Sequence, residues 1–117
     1  AKLISNIMKH APKNEAVTYF LQANSKVHEL RRDLMDQGFK IIDEFIVKDR
    51  HYYIILKVMR GDQDYDEADI YLGPYLKHKE EAKPYFEAQV RTIDRILKAA
   101  DEKRREELMQ LRSYYLL

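Results

Sequence analysis

The sequence predicts an α/β protein built as half of a doubly wound sheet and followed by an α-helical hairpin with coiled-coil character. Three observations predict it. The run Ala16-Val17-Thr18-Tyr19-Phe20-Leu21 is short, β-branched, aromatic and almost continuously apolar, as a strand covered on both faces is. Residues 39–48 and 52–60 are two further strand-like runs around the polar link Asp49-Arg50-His51, an antiparallel hairpin pattern. From Lys77 onward the spacing becomes helical, with Phe86, Val90, Ile93 and Leu97 repeating as a heptad seam.

The elements follow in order. Leu3, Ile4, Ile7 and Met8 run at helical spacing, and Pro12 disfavours helical geometry in Ala11, so a short opening helix ends there. No capping residue precedes it and Ala1 is not methionine, so the chain is expected to begin inside an element of a longer protein. After the first strand, which is expected in the interior of a sheet, Asn24 and Ser25 offer a helix N-cap. Val27, Leu30, Leu34 and Met35 form one stripe that stops at Gly38, the usual C′ position. In the hairpin, alternation sets Ile42 and Ile46 against Ile41, Phe45 and Val47, and Ile54, Leu56 and Val58 against Tyr53, Ile55 and Met59. Both faces are thus apolar. The helices of this chain suffice for much of one side, which is why the sheet reads as a half.

Residues 61–69 carry five acids and read as a surface linker. Asp62, Asp64 and Asp66 alternate like the start of a calcium loop, but the twelfth position is Gly73 and not a bidentate glutamate. Pro84 fits only near a helix start, so the long helix should begin there. Two readings of the tail compete: one continuous helix that pairs with another chain, or a hairpin that turns near Ala99-Ala100-Asp101 with Asp101 as the second cap. The hairpin is favoured, because residues 101–107 are uniformly charged and would interrupt a continuous seam before Leu108, Leu111 and Tyr115. The expected division is 1–76 and 77–117.

Composition narrows function mainly by exclusion. With 45% hydrophobic and 35% charged residues, and no apolar run of membrane-spanning length, the chain is not expected to enter a membrane. No cationic stretch followed by an apolar one opens it, which points to the cytoplasm. It has no cysteine, so thiolate metal sites, disulfides and cysteine nucleophiles are excluded, and its four histidines lack metal-ligand spacing. A net charge of +1 leaves nucleic-acid contact to local patches.

Several strings, in this order, resemble the bacterial tRNA (adenine(22)-N1)-methyltransferase family, TrmK. Lys2-Leu3-Ile4 with Ile7 resembles the helix after the family's AGMGG stretch, and Phe20-Leu21-Gln22-Ala23-Asn24 resembles its LILQPN strand end. Leu30-Arg31 with Leu34, Gly38-Phe39 and Ile42-Asp43-Glu44 resembles its next helix and strand, Tyr52-Tyr53-Ile54-Ile55 its YEI strand, and Tyr71-Leu72-Gly73-Pro74-Tyr75-Leu76 its FGP turn. Ala23 stands where the family has proline, and Ile54 where it has glutamate. The resemblance implies the C-terminal half of a class I methyltransferase domain with a Rossmann-like sheet, then a coiled-coil extension. It makes 16–21 the fifth strand and the hairpin the sixth and seventh, with the last strand antiparallel between the other two. Strands one to four would be absent, and this piece would self-associate through its exposed sheet edge.

The activity so implied is methyl transfer from S-adenosylmethionine to N1 of an adenine in tRNA. The three glycines are isolated, so the glycine-rich turn that would hold the cofactor is absent and the piece is not expected to bind it or to act alone. Gln22 and Asn24, expected just beyond the carboxyl end of the first strand, are the catalytic candidates, although Asn24 as a helix cap and Gln22 as a loop backbone partner is the more ordinary reading. Lys77, Lys79, Lys83, Arg91, Arg95 and Lys98 are candidates for tRNA phosphates, although Glu80, Glu81, Glu87 and Asp94 interleave with them as on an ordinary solvated helix. The rival function class is a noncatalytic protein-interaction module with the same architecture.

Overall fold

The computed structural model describes residues 2–11, 17–23 and 25–116, and the chain divides into two compact units, Ala1–His78 and Lys79–Leu117. In the first unit the order is α1 (Lys2–Lys9), β1 (Thr18–Ala23), α2 (Val27–Asp36), β2 (Phe39–Asp49), β3 (His51–Arg60) and α3 (Glu67–Leu72), closed by a 3-10 turn at Leu76–His78. The second has a 3-10 turn at Glu80–Ala82, then α4 (Lys83–Leu97) and α5 (Glu102–Tyr115).

The three strands form one sheet in the order β1-β3-β2, and β3 runs antiparallel to both neighbours. The last strand therefore lies between the other two, which run parallel to each other. Tight pairing of Asp49 with His51 leaves Arg50 alone at the tip with φ 63°, a left-handed geometry. One face of the sheet is core. Register sets Val58 beside Ile41 and Tyr19, and Leu56 beside Leu21 and Glu44, while α2 buries Leu30 and Leu34 completely. Its helical neighbours α1 and α3 both pack on α2.

Several expectations need correction. β1 begins and ends two residues later than the apolar run suggests, with Ala16 outside the described residues; it stands at a margin of the sheet, not in the interior that its apolar composition alone suggests but at the exposed edge that the family resemblance implies for this piece. Its side chains alternate, and Phe20 is 63% exposed, because nothing in the described residues covers that face. The residue that caps α2 is Lys26, in a left-handed conformation with φ 51° and with no side-chain bond to the helix; Ser25 lies one position too early. A β-bulge breaks simple alternation in β2: Ile41 faces Val58 and Asp43 faces Lys57, so Ile42 is the extra residue. Ile41 and Glu44 consequently share the core face, and Phe45 and Val47 turn away from it.

The acidic linker is irregular only as far as Asp66. That residue caps α3 by accepting the backbone N–H of Asp69, and Ile70 and Leu72 bury the helix's apolar side. Gly38, at φ 80°, ends α2 in the expected left-handed position. The tail is not helical from Lys77 onward, since two 3-10 turns precede α4; Pro84 sits in its first turn, as the missing N–H requires. Asp101 caps α5 by accepting from the N–H of Arg104. Ile93 and Leu97 of α4 pack with Leu108 of α5, joined at the edges by Ala100, Leu111 and Tyr115.

Candidate functional site

Parallel β1 and β2 both end where the hairpin turns, so their carboxyl ends share one border of the sheet. Open α/β sheets place ligands on that border. Gln22 is not beyond the strand, as expected from sequence, but its penultimate residue, paired with Ile55 and exposed. Asn24 lies outside the described residues. Gln22 shares its sheet face with Phe20 and, across β3, with Phe45 and Val47, because register partners point the same way. Phe45 is 38% and Val47 48% exposed, and the Lys57 ammonium lies 5.7 Å from the Phe20 ring centre. The outer face is thus apolar with a cation at its middle. On α1, Leu3 and Ile7 are also exposed, one turn apart.

The other face conceals a charged latch that sequence reasoning missed. Arg31 Nε donates to Glu44 Oε2 at 2.8 Å, with both side chains out of water. Arg31 Nη1 also donates to the carbonyls of Ile70 and Tyr71, while Glu44 Oε1 accepts the N–H groups of Tyr75 and Leu76. One ion pair thereby ties α2, β2 and the end of α3 to the Gly73-Pro74 turn. Gly73 sits at φ 92°, and a Cβ there would lie 2.5 Å from Glu44 Oε1. The signal available in the sequence was a lone arginine and a lone glutamate on otherwise apolar stripes.

The six cations singled out in the tail fall into distinct environments. Lys77 is held by Asp69 at 2.6 Å, and this hydrogen bond raises its pKa above the ordinary lysine value. Lys83 pairs with Glu80, and Lys79 is half-buried. Arg91, Arg95 and Lys98 are exposed, carry no ion pair among the described residues, and follow one another at i, i+4 and i+7. Such spacing aligns them along one side of α4. Nearby Asp94 is occupied by Arg112 at 2.7 Å.

Between the start of α4 and the end of α5 lies a groove of about 450 Å³, lined by Lys83, Phe86, Glu87, Val90, Arg91, Tyr115 and Leu116. Among the described residues no glycine cluster opens a helix after a strand. Gly38 ends α2, Gly73 ends α3, and Gly61 stands alone after β3. No group of three or more histidine or acidic side chains suited to a metal occurs among the described residues.

Comparison with known proteins adds a family and a fold. The model of the family TrmK, tRNA (adenine(22)-N(1))-methyltransferase, matches residues 1–114. A Streptococcus agalactiae protein of the NADB-Rossmann superfamily is similar with TM-score 0.87 and 21% identity, over 98% of this chain and 54% of that one. The Bacillus subtilis tRNA methyltransferase TrmK gives TM-score 0.81 and 20% identity, over 97% and 57%. TrmK of M. capricolum, solved with S-adenosyl-homocysteine, gives 0.80 and 18%, over 98% and 54%. The chain thus spans about half the length of these relatives. No curated protein matches the sequence.

Proposed function

Since the chain belongs to the TrmK family, tRNA (adenine(22)-N(1))-methyltransferases, we propose that it supplies the C-terminal part of such an enzyme: the closing strands of the methyltransferase sheet and a helical tail that docks tRNA. The observation that carries this reading is the strand order β1-β3-β2 in a half-covered sheet, matched over nearly all of this chain and about half of each relative. By itself the chain does not hold S-adenosylmethionine and does not turn over. In the assembled enzyme the cofactor supplies the methyl group, and the acceptor is N1 of an adenine, an atom on the Watson-Crick edge that must be unpaired to react. Gln22 and Asn24, from the carboxyl border, orient that edge by hydrogen bonding, and orientation is the main catalytic contribution available to them.

The tail, α4 and α5, acts as an antiparallel coiled-coil hairpin whose exposed stripe Arg91, Arg95 and Lys98 tracks phosphates, with Lys77, Lys79 and Lys83 as secondary contacts. The unpaired state of the stripe supports this, since a cation already bound to a carboxylate releases fewer counterions on meeting RNA. Without the rest of the enzyme, the open β1 edge and the outer sheet face drive self-association. The protein works in the cytoplasm, and no described helix is long and apolar enough to cross a membrane.

Calorimetric titration of the 117-residue chain with S-adenosylmethionine and, separately, with a tRNA transcript tests the reading. Salt-dependent tRNA binding without cofactor binding is expected. Tight, saturable cofactor binding would overturn the division of labour, and absence of tRNA binding would remove the tail's role.

A further inference from the structure

The groove in the second unit joins chemistry that the phosphate-tracking role leaves unused. Its apolar lining is Phe86, Val90, Tyr115 and the exposed Leu116, and the Phe86 and Tyr115 ring centres lie 6.0 Å apart with the planes tilted by 39°. Lys83 and Arg91 stand on its rim. Lys83 shares Glu80 at 3.0 Å, but both side chains are mostly in water, where such a pair exchanges at little cost. Arg91 has no ion pair among the described residues. Glu87 is the acid in the lining.

We propose that this groove receives one unstacked nucleotide of an RNA strand, its base against Phe86 and Tyr115 and its phosphate toward Arg91 and Lys83. The inference rests on the reading of the tail as an RNA-docking element and adds a base-sized site to it. Three features favour a nucleotide over an apolar peptide or a bare anion. A volume of about 450 Å³ suits a small aromatic ligand. Aromatic side chains offer the sequence-tolerant stacking surface that single-stranded nucleic acid uses. The rim carries both signs of charge, matching a ligand with an anionic phosphate at one end and amino groups at the other; Glu87 accepts a hydrogen bond from such an amino group, as carboxylates do from base edges. A bare phosphate would meet Glu87 as a repulsion.

The site lies beside the stripe Arg91, Arg95 and Lys98, and Arg91 belongs to both. A strand whose backbone follows the stripe therefore brings one base over the aromatic floor.

Titration of the full 117-residue chain with a short single-stranded oligoadenylate, followed by the ring-proton resonances of Phe86 and Tyr115, tests this directly. Saturable shifts of both rings are expected. Phe86→Leu and Tyr115→Leu should each weaken binding roughly tenfold without changing its salt dependence, because they remove a stacking face and no charge. Arg91→Gln, on the helix surface, should lower the salt slope by about 0.7. Circular dichroism checks that the helices persist in each variant. If the leucine variants bind as well as the parent while Arg91→Gln weakens it, the tail only tracks phosphates, and the groove assignment fails while the docking role stands. If no RNA binds, both fail. If the rings shift with protein concentration and not with RNA, a second copy fills the groove, and the nucleotide assignment is overturned.

Discussion

The guanidinium of Arg31 and the carboxylate of Glu44 meet at 2.8 Å, where their side chains are 1% and 0% exposed. Removing one partner strands the other in a dry interior, so Arg31→Met or Glu44→Leu should destabilise the chain by about 3–5 kcal/mol in urea unfolding. The double variant should recover much of that loss, because two apolar side chains of similar volume need no hydration. A double variant as unstable as either single one would show that the backbone bonds to Ile70, Tyr71, Tyr75 and Leu76 carry the latch rather than the charges.

Gly73→Ala tests the same latch from its other side. An alanine there must adopt φ 92° and place its Cβ 2.6 Å from Arg31 Nη2 and 2.5 Å from Glu44 Oε1. Backbone strain alone costs about 1–3 kcal/mol, before the displaced ion pair is counted. The expected thermal midpoint is therefore well below that of the parent. Gly38→Ala shares the left-handed geometry without a nearby atom, so its loss should be smaller.

Tyr65 gives an alkaline signature. Burial raises its pKa from the ordinary 10 to about 12, while its bond to the Ile41 backbone opposes the shift. The folded state then binds the phenolic proton more tightly than the unfolded one, so this contribution to stability is complete below pH 10 and is lost as pH rises towards 12. Between these limits Tyr65→Phe should show a shallower fall in stability than the parent, as measured by urea unfolding at a series of pH values. Equal slopes would remove Tyr65 from the account.

Phe20→Ser should reduce self-association of the chain by at least about tenfold, since truncating a large aromatic anchor at an interface costs about 2 kcal/mol or more. Sedimentation velocity across a concentration series reads this out. A parent that stays monomeric throughout would remove the proposed contact surface altogether.

Much of the fold is legible in the sequence where its signals are local. Asp49-Arg50-His51 marks the hairpin, Gly38 ends a helix, and Asp101 caps another. Long-range effects are not legible in that way. α3 hides behind acids that look like a linker, although Asp66 is its cap and Ile70 its core residue. Lys77 looks as available as Arg91 until the fold brings Asp69 to within 2.6 Å. β1 looks interior because apolar composition reports the cover a strand is suited to, whereas Phe20 records what the described residues provide. The alignment of Arg91, Arg95 and Lys98 follows from helical spacing; the groove beside it depends on Tyr115 returning to Phe86 across two helices.

Ile42 gives β2 a change of parity. Residues 39 and 41 look inward by odd count and residue 44 by even count, so the strand meets both demands only because one residue is spent without a partner. Deleting one residue from 41–43 would therefore only remove the bulge and leave Glu44 opposite Leu56 on the inward face, whereas a deletion within 45–47, in the unbroken ladder, would turn every residue on one side of it to the opposite face. The same deletion within 62–64, where no ladder counts residues, would shorten a loop and leave every facing unchanged. Tolerance to length change in this chain is therefore a map of which segments keep count.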